Sequence, residues 1–140
     1  MITCQKIFYH NSVKEALVND EWIITHDPYI IRLGGRDSVE ADLGAEKMVQ
    51  AEKGNRQIVV EVKSFLNRSI IHDFHGAYGQ FVFYQKALEK FEHHRDLYLA
   101  MPVDVFNELN EKPYFQEFMQ TELNILIFDP IEKLILEWIN

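Results

Sequence analysis

The chain has 140 residues, of which 47% are apolar and 26% are charged, and it carries a formal net charge of -8. This length and composition exclude a disordered chain and predict a single domain over residues 1–140. The lone Cys4 excludes a disulfide framework and a four-cysteine zinc site within one chain, and the lack of a signal-peptide core or of an apolar run of about 18 residues predicts a cytoplasmic protein with no membrane segment.

The first part of the chain combines a helix with short extended segments. Apolar residues at mostly helical spacing, without Pro or Gly, predict a helix over about Lys6–Asn19. β-Branched and aromatic residues predict a strand over Trp22–Thr25, a turn at Asp27-Pro28 and an extended segment over Tyr29–Arg32.

Two further strands and a long helix follow. The short mixed stretch Val39–Leu43, which contains Asp42, predicts a strand. The run Gln57–Lys63 is rich in Val and Ile and predicts a central strand. Between Ser69 and about Glu92, apolar residues recur at three- and four-residue steps without proline, which predicts one long helix.

The last third of the chain alternates short strands and helices. Strands are predicted at Leu97–Ala100, which Pro102 ends, and at Ile125–Phe128 and Leu134–Ile139, which form an edge pair. Two short helices are predicted at Val103–Leu109 and Tyr114–Gln120. This order of elements predicts an α/β sandwich with a mixed central β-sheet flanked by helices.

Glu61 and Lys63 lie two residues apart in the predicted central strand. Because alternate residues of a strand share a face, these two side chains project together while Val60 and Val62 point the other way into packing. Charged residues on an otherwise apolar strand need a partner, a metal or a solvent cavity. Metal-assisted phosphodiester hydrolysis would use them, because acidic groups hold Mg²⁺ and a lysine orients water or stabilises charge; Asp42 is the candidate second acidic ligand.

The same Glu-x-Lys spacing also fits a solvated ion pair on an edge strand, with no chemistry attached. The long helix favours the functional interpretation, because Gln80 and Tyr84 are four residues apart and share one face. Gln80 is predicted to reach the cavity of Lys63, and Gly76 and Gly79 are predicted to let the helix approach a sheet closely.

These residues carry a resemblance to a known superfamily. An acidic residue on one strand, Glu-x-Lys on the next and Gln-x-x-x-Tyr on the following helix resemble the PD-(D/E)xK nucleases, in particular branches similar to archaeal Holliday-junction resolvases and the RecB nuclease domain. The matching residues are Asp42, Glu61, Lys63, Gln80 and Tyr84.

A closer resemblance covers nearly the whole chain, and it is to the cyanobacterial XisH family, called fdxN element excision controlling factor. It is carried by the phrases His10-Asn11-x-Val13-Lys14, Thr25-His26-Asp27-Pro28, Asp42-Leu43-Gly44-Ala45-Glu46-Lys47, Val60-Glu61-Val62-Lys63-Ser64-Phe65, Gly79-Gln80 and Phe128-Asp129-Pro130.

The resemblance implies a restriction-endonuclease-like three-layer sandwich and a role on DNA. It implies work beside an XisF-like site-specific recombinase and a small XisI-like companion, which excise a DNA element during heterocyst differentiation. In the implied Mg²⁺ site, for which Mn²⁺ can substitute, Asp42 and Glu61 hold the metal with the Val62 carbonyl as a third ligand. Lys63 acts on water or phosphate, Gln80 positions Lys63, and Tyr84 supports the lysine or the strand packing.

The sequence departs from the superfamily pattern before Asp42, where Ala41 stands in place of proline. The long interval between Asp42 and Glu61 leaves Glu46 or Glu52 open as the partner carboxylate, with Glu46 the second choice after Asp42.

Weaker candidates lie elsewhere. The superfamily often adds an acidic residue from the first helix, for which Glu15 is the candidate here, although a solvated helix face is the favoured interpretation of Glu15. His26 is expected to be a turn histidine bonded to backbone rather than an acid or phosphate contact. His72 and His75 have metal-compatible spacing, but no further zinc ligands are evident nearby.

Charge keeps a second class of function open. Residues 1–70 hold nine Lys or Arg against ten Asp or Glu, a net charge of -1, whereas residues 71–140 hold five against twelve, a net charge of -7. An acidic surface attracts protein partners and repels DNA, so a regulatory protein that binds the recombinase or the companion without cleaving DNA is the alternative. A homodimer in which Glu61 and Lys63 form only a buried salt bridge is a third possibility.

Overall fold

The computed structural model describes residues 4–49, 54–65, 69–91 and 94–140. Within these ranges no helix is both long and apolar enough to cross a membrane. The elements in chain order are α1 (Cys4–Asn19), β1 (Ile23–His26), β2 (Tyr29–Arg32), β3 (Ser38–Ala41), β4 (Leu43–Val49), β5 (Gly54–Val62), α2 (Ile70–Phe91), β6 (Asp96–Pro102), α3 (Val103–Asn110), α4 (Pro113–Thr121), β7 (Ile125–Asp129) and β8 (Leu134–Ile139).

Six strands form one mixed sheet in the order β1-β4-β5-β6-β7-β8, while β2 and β3 pair separately as a hairpin. The pairs β5-β6 and β6-β7 are parallel and the other neighbours are antiparallel. A parallel pair needs a crossover, which α2 supplies between β5 and β6, and α3 with α4 between β6 and β7. The predicted mixed sheet flanked by helices is confirmed, with β5 as a central strand and β8 at an edge.

Two hydrophobic clusters lie on opposite faces of the sheet. On one face α1 packs Val13 and Leu17 against residues of β4 to β7. On the other face α2, α3, α4 and the β2-β3 hairpin cover the alternate residues of β5, β6 and β7. Because β6 is covered on both faces, it is a continuous apolar run from Leu97 to Met101. These layers make the predicted three-layer sandwich.

The strand predicted over Val39–Leu43 is divided in the structure. Residues up to Ala41 belong to the hairpin, and Leu43 begins β4, a central-sheet strand that the sequence pattern did not predict. β4 contains Gly, Ala, Glu and Lys, which are depleted in strands, and its pairing with β1 on one side and β5 on the other overrides that propensity. Asp42 occupies the junction between the two sheets.

The close helix approach predicted at Gly76 and Gly79 is wrong. Both glycines are exposed, and a methyl group added at either one would meet no atom within 4 Å outside the helix. The tight contact lies instead at Gly44, where an added Cβ would stand 2.8 Å from the Tyr29 ring and 3.0 Å from Nδ1 of His26. A glycine at this position therefore lets the hairpin base pack on β4 beside Asp42.

Candidate functional site

Asp42 and Glu61 lie side by side across the β4-β5 ladder. Leu43 pairs with Val60 in antiparallel register, so the residue before β4 stands beside the residue near the end of β5. Each carboxylate accepts a hydrogen bond from the backbone of the other segment. The Asp42 backbone N–H donates to Oε1 of Glu61 at 3.2 Å, and the Val62 backbone N–H donates to Oδ2 of Asp42 at 2.7 Å. Both carboxylates are thereby fixed by backbone donors.

Lys63 completes the predicted group. Its Nζ lies 3.4 Å from Oε2 of Glu61, so the two side chains project together as the strand spacing predicts. Its backbone N–H donates to the Ala100 carbonyl at 2.9 Å, which continues the direction of β5 one residue beyond its end. The carboxylate of Glu61 is thus placed between Asp42 and an ammonium group.

A cavity of about 330 Å³ opens over these side chains, between α1 and the end of β5. The side chains of Asp42 and Lys63 are each about one third exposed, whereas Glu61 as a residue is only 8% exposed. A solute can therefore reach Asp42 and Lys63 while Glu61 forms the floor. The cavity is lined by Lys6, Ile7, Tyr9, His10, Asp42, Glu61, Val62, Lys63 and Ser64.

His10 on α1 is a member of this site that the sequence interpretation missed. Its Nδ1 lies 3.8 Å from Oδ1 of Asp42, an ion-pair separation, and its Nε2 is hydrogen bonded to Oδ1 of Asp27 at 2.9 Å. A signal was available, because His10 lies three and seven residues before Val13 and Leu17 and therefore shares the face of α1 that packs on the sheet.

The charged side chains form a continuous row across the site, in the order Lys14, Asp27, His10, Asp42, Glu61 and Lys63. When the histidine is protonated, positive and negative groups alternate along this row except at one step. That step joins Asp42 and Glu61, two acidic side chains in direct succession. Among the described residues, no basic side chain stands between these two carboxyl groups in the row.

The contact between the two acids affects the proton equilibria of both. Burial, followed by the charge of Asp42, raises the pKa of Glu61 to about 8, against the lowering effect of Lys63. Burial also opposes ionisation of Asp42, but the interactions with His10 and the Val62 N–H outweigh it and hold the pKa of Asp42 below its usual value. Near neutral pH the pair therefore has one negative charge, which lies on Asp42, while Glu61 is mostly protonated.

The first half of the row, from Lys14 to His10, is stabilised in its charged form. Interaction with Asp42, opposed by burial and assisted by Asp27, raises the pKa of His10 above its ordinary value. Burial opposes ionisation of Asp27, but the bonds from Lys14 and His10 prevail and lower its pKa. The Lys14 Nζ lies 2.8 Å from Oδ2 of Asp27, so that carboxylate is bound on both oxygens.

Gln80 and Tyr84 lie on the other face of the sheet from α1. The amide of Gln80 donates to the Tyr84 hydroxyl at 2.7 Å, and the hydroxyl donates to the Glu40 carbonyl at 3.3 Å. Burial is the main cause that raises the pKa of Tyr84, and the charges of Glu61 and Asp42 add to it. Neither residue is among the described residues that line the cavity, so Gln80 is held beside Tyr84 rather than brought into the cavity with Lys63.

The alternative carboxylates are placed away from the pair. Glu46 lies opposite Gln57 in the β4-β5 register, accepts a hydrogen bond from the Gln57 amide at 2.7 Å and lies 3.5 Å from Arg95. Glu15 is exposed on α1 and pairs with Lys133 at 2.8 Å. Glu52 lies outside the described residues. The structure thus brings Asp42, rather than Glu46 or Glu15, to Glu61.

The other histidine candidates stand apart. His26 lies 2.8 Å, through Nδ1, from the Thr25 hydroxyl and edge-on to the Tyr29 ring, so its side-chain partner differs from the backbone group that the sequence suggested. His72 and His75 are exposed on α2. Across the described ranges, no three or more His, Cys, Asp or Glu side chains converge in a manner suited to a metal ion.

The pair of carboxylates nevertheless fits Mg²⁺. This ion keeps several of its waters and binds through one or two carboxylates, so it does not require a larger protein cage. Asp42 and Glu61 offer oxygens in adjacent positions at an accessible cavity, and the uncompensated acidic step between them is the place that a cation would neutralise. The donor set is all oxygen, which suits a hard cation rather than zinc.

Comparison with known proteins identifies close relatives of the chain. A family model described as XisH protein matches residues 3–136. The crystal structure of an fdxN element excision controlling factor protein from Anabaena variabilis is similar at 38% identity with a TM-score of 0.82, over 96% of this chain and 99% of that one. An XisH family protein from Nostoc punctiforme matches at 38% identity and a TM-score of 0.82, over 95% and 99% of the two chains. No curated protein matches.

Proposed function

The chain belongs to the XisH family, and from this premise we propose that it is a DNA-acting factor that controls site-specific excision of a DNA element through a Mg²⁺-dependent endonuclease-like site. The relative from Anabaena variabilis is described as an fdxN element excision controlling factor, which supports the excision role. Excision requires phosphodiester chemistry on DNA, and the cavity at the end of β5 carries residue types suited to it.

One observation carries the proposal. Asp42 and Glu61 are adjacent acidic groups in a cavity, and the pKa of Glu61 is raised to about 8 because burial and Asp42 disfavour its charge. Each carboxyl group has a basic neighbour, Lys63 for Glu61 and His10 for Asp42, but ion pairing for stability alone does not require the two acids to stand against each other. Two carboxyl groups with a lysine beside them instead suit a site that receives a divalent cation and a phosphate.

Each residue has a role that follows from its position. Asp42 and Glu61 would hold Mg²⁺ or Mn²⁺, with the Val62 carbonyl as a third donor. The bound ion would supply charge for the phosphate and an activated water. Lys63 is next to Glu61 and about one third exposed, so its ammonium group is available to a phosphate oxygen or to the attacking water.

Gln80 and Tyr84 act on Asp42 from the face of the sheet opposite α1. The Tyr84 hydroxyl holds the Glu40 carbonyl, two residues before Asp42, and Gln80 fixes that hydroxyl. Their contribution is to position the chain that leads to Asp42. Gln80 therefore positions Asp42 rather than Lys63.

The experiment compares cleavage of linear, nicked and four-way-junction DNA by the wild type, Glu61→Ala and Lys63→Ala with Mg²⁺ or Mn²⁺. Glu15→Gln is the control, because Glu15 is an acidic residue of α1 that pairs with Lys133 away from the cavity. Cleavage by the wild type and the control that both site variants lose supports the proposal. Full metal-dependent cleavage by Glu61→Ala and Lys63→Ala rejects it.

A second candidate is a regulator that binds an XisF-like recombinase or an XisI-like companion without cutting DNA. The net charge of -7 over residues 71–140 favours it, because an acidic surface repels DNA and attracts protein partners. A homodimer is compatible with either function. Co-purification with a partner, at an affinity unchanged by Lys63→Ala and with no cleavage by the complex, would support the regulator.

A further inference from the structure

Asp27 is bonded to the site without lining it. It lies in the turn between β1 and β2, and it is not one of the described residues around the cavity. One of its oxygens is hydrogen bonded to the His10 ring at 2.9 Å, and the other accepts from Lys14 at 2.8 Å. Among the described residues, Asp27 is therefore connected to the cavity through His10, whose other nitrogen faces Asp42.

Asp42 is held from two sides. Its Oδ2 accepts from the Val62 backbone at 2.7 Å, while its Oδ1 lies 3.8 Å from Nδ1 of His10. Because a carboxylate is planar, its two oxygens turn together about the Cβ–Cγ bond, so the contacts on the two oxygens set that torsion jointly. The imidazole faces the oxygen that does not accept from Val62, and the ring is hydrogen bonded in turn to Asp27.

We propose that Asp27 and His10 are positioning residues for Asp42: Asp27, held by Lys14, orients the His10 ring, and the ring holds the carboxylate of Asp42 in the direction needed for a divalent cation. The proposal rests on the metal site proposed above and assigns it a supporting pair from two other elements, α1 and the β1-β2 turn. A carboxylate–histidine pair behind a metal-binding group typically changes metal affinity about 10- to 100-fold when it is removed.

The geometry predicts a specific coupling between the two residues. Because Asp27 acts on Asp42 only through His10, removing Asp27 from a protein that already lacks His10 has no further effect. Two independent contributions would instead multiply. The double variant therefore distinguishes a relay through His10 from two separate effects on the cavity.

The experiment measures Mn²⁺ dissociation constants by electron paramagnetic resonance, without DNA, for the wild type, His10→Ala, Asp27→Asn and the double variant. We expect each single variant to bind about tenfold more weakly, and the double variant to be weakened about tenfold rather than about a hundredfold. His26→Ala is the matched control, since His26 precedes Asp27 and is bonded to Thr25. Its affinity is expected to stay within about twofold of the wild type.

Lys14→Met provides a second route if Asp27→Asn does not fold. It removes the other donor to Asp27, and we expect it to weaken Mn²⁺ binding in the wild-type background but not in the His10→Ala background. Wild-type affinity in Asp27→Asn, or a double variant weakened by the product of the single effects, overturns the positioning role.

The two proposals fail in different ways. A wild type that binds no Mn²⁺ refutes the metal site and with it this inference. A wild type that binds Mn²⁺ and loses it in Glu61→Gln, but keeps full affinity in Asp27→Asn, retains the metal site and refutes the positioning role alone.

Discussion

Replacing Glu61 by Gln removes one buried titrating group while keeping the shape of the side chain and an oxygen for the Asp42 N–H. In the folded chain burial and Asp42 raise the pKa of Glu61 from 4.5 to about 8. Below about pH 4.5 this carboxyl is protonated in the folded and the unfolded state alike. Between about pH 4.5 and 8 the folded state holds a proton that the unfolded state has lost, so the free energy of unfolding falls as pH rises.

The expected size of the effect follows from proton linkage. One extra proton in the folded state changes the free energy of unfolding by about 1.4 kcal/mol per pH unit. The interval between about pH 5 and 6 isolates Glu61, because the raised pKa of His10 acts with the same sign only above about 6.5. Over this interval we expect the wild type to lose about 1.4 kcal/mol relative to Glu61→Gln.

Urea unfolding in metal-free buffer measures this difference. Trp22 is buried, so tryptophan fluorescence follows the transition. Charge elsewhere on the acidic chain affects both proteins alike and is removed by comparing the slopes of unfolding free energy against pH. Parallel slopes for the wild type and Glu61→Gln between about pH 5 and 6 would refute the raised pKa and the argument built on it.

Further substitutions test other contacts. Gly44→Ala should lower the free energy of unfolding by about 1–3 kcal/mol, because its Cβ would stand 2.8 Å from the buried Tyr29 ring, whereas the exposed Gly79→Ala should be neutral or stabilising; urea denaturation compares them. Ser12→Ala should cost about 1–2 kcal/mol in the same assay, since its buried hydroxyl contacts two backbone carbonyls. Glu15→Gln should leave both stability and Mn²⁺ affinity nearly unchanged, as calorimetry can verify.

The periodic elements could be predicted from sequence because their burial follows their period. The buried residues of α2 recur at helical steps, and β6 and β7 are apolar runs covered on both faces, so pattern and environment agree. The placement of Glu61 and Lys63 on one face could likewise be predicted, because the two-residue period of a strand sets it whatever the partner strands are.

The rest of the site depends on register and on tertiary contacts. Which carboxylate lies beside Glu61 is decided by the pairing of Leu43 with Val60. A sequence shows no pairing register, so the sequence alone does not distinguish Asp42 from Glu46. Asp27 joins His10 across 17 positions through a turn that no periodicity describes. β4 itself was missed because its neighbours, rather than its own residue preferences, make it a strand.

Calorimetric titration of Mg²⁺ at pH 7 into the wild type and Glu61→Ala tests the metal site most directly. Because the pKa of Glu61 is raised to about 8, most of this carboxyl is protonated at that pH and must lose its proton to bind the ion. The wild type should take up Mg²⁺ and release close to one proton per ion, seen as a heat that varies with the buffer, and Glu61→Ala should bind none. Absence of binding by the wild type, or equal binding by Glu61→Ala, would contradict a metal site at Asp42 and Glu61.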